Sequence, residues 1–388
     1  MAIGEKVSGP VESIAAGGAG ILRWQGKTVF VDFTAPGDHV TAVIREENES
    51  WARASLREIH EASPLRVESP CTYYGRCGGC SLQHIEYQVQ LNIKQHIIGQ
   101  HFTRIGSIQN LPAIDIVPSE PYGYRNRMQF HRLAKPKAGQ SRVGLKQKAS
   151  DVVLPIEDCP IADRGIREAL QNRDLIPVPA LDRFTVYSYL STFLQEGRLQ
   201  RGTVRLLGAA LHLDVTVFFQ SNAQVLESLL REVIDLAHRA NQALPAADLY
   251  CGVGTFAYFL QDIFPQIDLM EENPKALALA KENLSNSKAR FFSVNDDHWS
   301  KRAAQNRQEH QYGFMVLDPP RQGLSASLRD FLTQSGPPLV AYVSCDPATQ
   351  ARDCKVLTQA GYTLEKLTMY DFYPQTAHME SLAVLRRT

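Results

Sequence analysis

The chain has 388 residues, 44% of them apolar and 21% charged, with 41 Lys and Arg against 41 Asp and Glu. That length and composition bury a sizeable core in two or three domains and exclude a disordered chain, while the neutral balance means that a polyanionic partner must be met by a local patch. Seven cysteines spread over so long a chain argue against a disulfide framework, and the absence of a bilayer-length apolar run or a leader pattern leads to an expectation of no membrane partner and a cytoplasmic location.

Residues 1–60 alternate short β-rich runs with turns. "ILRWQGKTVFVDF" reads as a hairpin with Gln25-Gly26 at its tip, and "APGDHVTAVIREE" and "WARASLREI" read as further strands of a small barrel spanning 1–62. A middle region, 63–235, follows. It opens on "CTYYGRCGGCSLQ", where three cysteines crowd into a glycine-rich loop. Three readings compete for that loop: a disulfide, a thiolate metal site, and a redox or nucleophilic cysteine.

A helix is expected through "EYQVQLNIKQHIIGQHF". The stretch from Arg125 to Lys148 then carries eight basic residues (Arg125, Arg127, Arg132, Lys135, Lys137, Arg142, Lys146 and Lys148) and no acid. Such a run is either a solvated face or a contact for nucleic acid, and the interleaved Phe130 and His131 favour the second. After an amphipathic helix in "AQVLESLLREVIDLAHRA", residues 236–388 alternate strands with helices, the pattern of a parallel, doubly wound α/β sheet.

In "DLYCGVGTF" a strand ends and Gly252 and Gly254 occupy the turn before a helix, so the backbone can approach a ligand at the helix start. Alone, two such glycines are a weak signal, since many turns need glycine for φ. Glu271 adds weight. It lies nineteen residues beyond Gly252, at the end of the next strand, where a carboxylate meets ribose hydroxyls. The third glycine of the dinucleotide fingerprint is missing, which suits S-adenosyl-L-methionine better than NAD. "VLDPPRQGL" ends a third strand with Asp318 and an extended Pro-Pro loop, and Arg321 stands where amine-directed methyltransferases carry an aromatic residue. "VSCDPATQARD" brings Cys345 to another strand end at the same sheet edge, and "TAHMESLAVL" offers Glu380 before the terminal strand. A nucleophile beside a general base outlines a mechanism. A cysteine at a strand end is also a common small buried hydrophobe, but the Asp-Pro that follows forces a turn and leaves the thiol at a cleft mouth.

These motifs together resemble the 5-methyluridine RNA methyltransferases, specifically the 23S ribosomal RNA branch with an iron-sulfur cluster. The resemblance runs from "GPVESIAAGGAGILRWQGKTVFVDFTAPGD" through "CTYYGRCGGCSLQH", "YRNRMQFH", "EDCPIAD" and "DLYCGVGTF" to "LDPPRQG", "SCDPATQARD" and "HMES". It implies a TRAM-like oligonucleotide-binding (OB-fold) barrel, an iron-sulfur middle domain and a Rossmann-like S-adenosylmethionine-dependent catalytic domain. It further implies that Cys345 is the nucleophile toward uracil C6 and Glu380 the base that removes the C5 proton. Cofactor contacts would fall on Gln220, Tyr250, Gly252, Gly254, Thr255, Glu271, Asn295 and Asp318, although Tyr250 and Thr255 depart from the residues common there. Arg125 and Arg321 would hold the flipped base or its phosphate. Cys71, Cys77, Cys80 and Cys159 would hold a [4Fe-4S] cluster in a structural or RNA-facing role, with a four-cysteine zinc site as the rival. The expected partner is RNA, ribosomal before transfer, with no protein partner implied. A non-catalytic RNA-binding protein and an iron-sulfur electron carrier are the competing functions.

Overall fold

The structure is a computed structural model and describes residues 2–133, 140–285, 288–306 and 308–387. Strands β1 (Lys6–Ile14), β2 (Gly20–Trp24), β3 (Lys27–Val31), β4 (His39–Glu47) and β5 (Trp51–Glu61) close a barrel in the order β1-β2-β3-β5-β4. Alternation drives it. Val7, Leu22, Val29, Val31, Val40, Ala42, Ile44 and Ala52 fill the interior, while Glu12, Arg23 and Arg53 point outward. Gln25 (φ 48°) and Gly26 (φ 79°) supply the two left-handed residues of the β2–β3 turn, as that dipeptide led one to expect.

The chain continues through α1 (Tyr87–Arg104), β6 (Ile114–Val117), β7 (Arg127–Arg132), β8 (Val143–Lys146), β9 (Val153–Pro155), α2 (Arg164–Gln171), β10 (Arg183–Tyr189) and β11 (Thr192–Gln195). Five of these strands form a sheet, β11-β10-β7-β8-β9, and β12 (Arg201–Leu206) pairs with β13 (Ala209–Asp214) as a separate ribbon.

Then come α3 (Ala223–His238), β14 (Ala246–Leu249), α4 (Thr255–Leu260), β15 (Ile267–Met270), α5 (Pro274–Asn283), β16 (Ala289–Phe292) and α6 (Asp296–Gln305). The last part comprises β17 (Phe314–Leu317), α7 (Ala326–Ser335), β18 (Leu339–Ser344), α8 (Pro347–Gln359), β19 (Tyr362–Tyr370) and β20 (Glu380–Arg387). Their strands form one sheet ordered β16-β15-β14-β17-β18-β20-β19-β6. The five strands β14 to β18 run parallel, with helices between them, and β20 enters antiparallel between β18 and β19.

One strand comes from far away. β6 adds to the edge of this sheet beside β19, and Leu91, Ile98 and Phe102 of α1 pack with Leu357 and Leu367, so residues 87–117 are built into the C-terminal layer. Strand order reverses at β14, between β15 and β17. That is the switch point outside which ligands of open α/β sheets bind.

Candidate active site

The loop after β14 holds three left-handed residues, Tyr250 (φ 64°), Gly252 (φ 55°) and Gly254 (φ 80°). A Cβ at Gly252 would meet no atom, so the outer face of the loop is open, whereas one at Gly254 would lie 2.8 Å from Leu284. The Glu271 carboxylate reaches back to accept the Gly252 N–H at 3.0 Å and the Asn273 N–H at 2.7 Å. Asp248 accepts the Ala257 N–H at 2.9 Å, tying the strand end to the first turn of α4. Its burial, with Asp318 and Glu271 adding like charge, pushes Asp248 up to about 8.

A cleft opens over this loop. Of the residues expected to contact a cofactor, Gln220, Tyr250, Gly252, Thr255 and Asp318 line it, together with Phe218. Glu271 acts through the loop backbone, and Gly254 starts α4. Asn295 lies at the start of α6, which its side chain caps by accepting the His298 N–H at 3.0 Å. The Tyr250 hydroxyl turns to Asp296, 2.6 Å away, which also accepts the Ser325 N–H. Gln220 Nε2 lies 3.5 Å from Asp318, and its carbonyl oxygen is buried with no protein partner. Burial raises Asp318 to about 6 against the pull of that amide.

Cys345 follows β18 directly, and Asp346 caps α8 by accepting the Ala348 and Thr349 N–H groups, with Pro347 at the first helical position. The antiparallel register pairs Ser344 with Ser381, which places Cys345 beside Glu380 at the mouth of the sheet. Glu380 is 4% exposed and its Oε2 has no protein partner. Burial holds its carboxyl well above the usual range, Asp318 reinforces the rise, and Arg321 opposes it. Burial likewise pushes the Cys345 thiol up to about 12, with Glu380 and Asp318 adding and Arg321 opposing. Burial thus raises both members of this pair, and Arg321 is the cation that draws both down.

The loop carrying Arg321 is pinned from behind. Asp353 of α8, fully buried, accepts the Leu324 N–H at 2.9 Å and the Tyr342 hydroxyl at 2.9 Å, and pairs with Arg329 and Arg352. Arg321 Nη2 stands 3.3 Å from His378 Nδ1. His378, whose basicity is lowered by burial and then by Arg321, packs edge-on to Tyr373. Sequence reasoning passed over both His378 and Tyr373, although both sit in the segment that leads into Glu380.

The cysteines stand apart from this cleft. Cys71, Cys77, Cys80 and Cys159 line one cavity of about 460 Å³, shared with Arg125. The Gly79 N–H donates to the Cys77 sulfur at 3.4 Å, and the loop docks on β8 through the Gly78 N–H and the Lys146 carbonyl. Burial pushes Cys159 up to about 12, with the neighbouring Cys80 adding and Arg125 opposing, while Cys80 rises by burial to about 11. Among the described residues, no three His, Cys, Asp or Glu side chains are gathered closely enough to hold a metal ion. The expected tight ligand set is not drawn together here; the four thiols stand around the cavity walls.

Nor does the basic run form an acid-free patch. Arg132 pairs with Asp182, Lys146 with Asp151 at 2.6 Å, and Lys148 with Asp32 of the barrel at 2.8 Å while its ammonium also lies over the Phe33 ring. Lys135 and Lys137 lie outside the described residues. Arg125 is half-buried between the two sites, its charge reaching both Cys80 and Tyr373. The Arg127 guanidinium lies 5.8 Å from the ring centre of exposed Phe218.

No described helix is long and apolar enough to cross a membrane. The family model described as tRNA (uracil-5-)-methyltransferase matches residues 210–388. An uncharacterized RNA methyltransferase of Aquifex aeolicus is 32% identical over 97% of both chains. A 23S rRNA (uracil(1939)-C(5))-methyltransferase of Pseudomonas putida is 29% identical, covering 98% of this chain and 94% of the relative. Among solved structures, the tRNA (uracil-54, C5)-methyltransferase of Pyrococcus abyssi in complex with S-adenosyl-L-homocysteine superposes with a TM-score of 0.73 at 25% identity, over 98% of this chain and 100% of that one. With a nucleotide-type cleft at the switch point and similarity along its whole length, this chain belongs to the RNA (uracil-C5)-methyltransferase family.

Proposed function

We propose that this chain methylates C5 of a uridine in 23S ribosomal RNA, using S-adenosyl-L-methionine, through a covalent adduct of Cys345 with C6. The observation that carries the reading is the adjacency of Cys345 and Glu380 across β18 and β20, near enough to Asp318 of the cleft for its charge to act on both. Uracil C5 is a poor nucleophile. Attack of the Cys345 sulfur on C6 moves the C5–C6 π pair toward O4, giving an enolate whose C5 can take a methyl group. The bound cofactor supplies that methyl as an electrophile on a sulfonium. Glu380 then takes the C5 proton while the C6–S bond breaks, restoring the C5–C6 double bond and returning the pair of electrons to sulfur.

The chemistry needs both groups as anions, burial disfavours both anions, and Arg321 is placed to favour them. Its charge next to the reacting pair gives it an electrostatic role beyond holding a base or phosphate. Arg125 fits the phosphate contact better, since it lies on the approach from the cysteine cavity. Gln220, with an unpartnered buried carbonyl, and Asp318 suit the polar end of the cofactor. Glu271 suits its ribose once the carboxylate leaves the Gly252 N–H.

The barrel of residues 1–62 suits a TRAM-type RNA grip, ahead of a middle region, 63–235, and a catalytic region, 236–388. Cys71, Cys77, Cys80 and Cys159 fit a [4Fe-4S] cluster: four thiols share one cavity, and a backbone N–H already points at sulfur. Bound there, a cluster would supply a rigid tie between the loop at 71–80 and the segment around Cys159. Ribosomal RNA is preferred over transfer RNA because the relatives named for 23S rRNA match 98% of this chain at 28–29% identity. The Pyrococcus likeness keeps transfer RNA as the second reading.

The test compares two variants on 23S rRNA fragments and on tRNA. Cys345→Ala should lose both methyl transfer and any covalent RNA adduct. Glu380→Gln should still form the adduct and methylate, but resolve it about 10²- to 10⁴-fold slower, so that methylated, protein-linked RNA survives denaturing electrophoresis. Activity retained by Cys345→Ala would overturn the mechanism, and methylation of tRNA alone would overturn the substrate.

A further inference from the structure

The segment 371–379 joins β19 to Glu380, and nothing in its own conformation is regular. It is held instead by side chains and amides from distant parts of the chain. Lys94 of α1, 1% exposed, donates to Asp371 at 2.6 Å and to the Tyr373 carbonyl at 3.1 Å. The Tyr124 hydroxyl donates to the Pro374 carbonyl at 2.9 Å. Gln375 is the centre of the arrangement. Its backbone is left-handed (φ 67°), a costly state for a side-chain-bearing residue, and it is 2% exposed. Its carbonyl accepts the N–H groups of both Ser81 and Leu82 at 3.0 Å. Its side chain and backbone N–H together clasp the buried Gln90 amide, at 2.9 and 3.1 Å. Two residues on, the Ala377 N–H donates to Ser81 Oγ at 3.1 Å.

Ser81 directly follows Cys80. The same short loop that lines the cysteine cavity therefore grips the strap that ends at the catalytic carboxylate, through three hydrogen bonds within two residues. We propose that Ser81, Gln90 and Gln375 are positioning residues for Glu380, and that through them the cysteine loop sets the step that releases methylated RNA. The inference rests on the proposed adduct mechanism. The sulfur attack depends on Cys345, which is fixed by β18 and the capped start of α8, and neither element touches the strap through these bonds. Proton removal depends on Glu380, whose approach to C5 follows the strap. A defect here should separate the two steps.

The conservative changes are Ser81→Ala, which deletes one acceptor, and Gln375→Gly, which keeps the left-handed backbone and both carbonyl contacts while removing the side-chain half of the clasp on Gln90. With 5-fluorouridine RNA, which cannot lose fluorine as a cation, trapping counts the sites competent for attack. That count should stay at the wild-type value. With ordinary RNA, adduct resolution should slow about 10²-fold, the scale of a misplaced catalytic group, while the Kd for RNA in the absence of cofactor holds. Hydrogen exchange at the Ser81, Leu82 and Ala377 amides should quicken in the same variants, and Ser81→Thr, which keeps the hydroxyl, should restore slow exchange and fast resolution. Resolution at the wild-type rate, or a fall in trapping that parallels the fall in turnover, would overturn the proposal. Glu380→Gln is the control: if it accumulates no adduct, the mechanism itself fails, whereas accumulation there without any in the strap variants defeats only this inference.

Discussion

Alkylation of Cys345 shows whether the proposed nucleophile is ionised before RNA arrives. Burial raises its thiol to about 12, with Glu380 and Asp318 contributing in the same direction. At pH 8 such a thiol is ionised to about one part in 10⁴, against about one quarter for an ordinary thiol, a deficit of roughly 2,000-fold. The more basic thiolate is also the better nucleophile, which recovers roughly 40-fold at a Brønsted coefficient near ~0.45. The net expectation is that Cys345 reacts roughly 50-fold more slowly at pH 8 than the same cysteine in the urea-unfolded chain. The assay treats cofactor-free protein with iodoacetamide, quenches at intervals, and follows the Cys345 peptide by mass spectrometry from pH 6 to 10. The rate should still be climbing at pH 10. Glu380→Gln should move the climb to lower pH, because it removes one of the two acids that oppose the thiolate and leaves only Asp318. A plateau below pH 9 in the unaltered protein would refute the reasoning. It would mean that the start of α8 and Arg321 together outweigh burial and that the thiolate is preformed.

Two further outcomes follow from the charges and the cysteines. Arg125→Ala and Arg142→Ala should each flatten the salt dependence of RNA binding by about 0.7 in log-log slope, whereas Lys148→Ala, whose ammonium is spent on Asp32 and Phe33, should leave the slope unchanged; filter binding across a salt series decides it. Anaerobically purified protein should contain iron and inorganic sulfide that are lost together in Cys77→Ser, and stoichiometric zinc in their place would turn the four thiols into a zinc site.

The parts of the fold that could be read from sequence are those whose cause is local. Gln25-Gly26 announces its turn because both residues must go left-handed, and the barrel strands announce themselves by alternation. Charge pairing is another matter. The run from Arg125 to Lys148 contains no acid, yet Asp182 and Asp32 reach it from 50 residues downstream of Arg132 and from the barrel, distances in sequence that no count within the run can register. Asn295 has a local cause as well: Asn at the start of a helix satisfies an orphan backbone N–H, and its Oδ1 accepts that of His298. The placement of α1 and β6 was equally hidden, since strand order in a sheet depends on which edge is free, and only the folded chain shows that β19 leaves one.

The adjacency of Cys345 and Glu380 lies between these cases. Each residue marks the end of an apolar run, so each can be assigned to a strand terminus, but the direction of the last strand decides whether they meet. In an all-parallel sheet β20 would present Arg387 beside Cys345 and carry Glu380 to the opposite rim, roughly 20 Å away at the rise of an eight-residue strand. Antiparallel entry of β20 between β18 and β19 brings the start of one strand to the end of the other. That reversal leaves the end of β19 and the start of β20 side by side at this edge, Tyr370 opposite Glu380, and the connection between them, 371–379, is irregular and satisfies only part of its backbone from within. Hence the clasp by Lys94, Gln90, Tyr124 and Ser81: the strand reversal that brings Cys345 and Glu380 together also leaves a segment in need of an outside hold, and the loop after Cys80 supplies part of it.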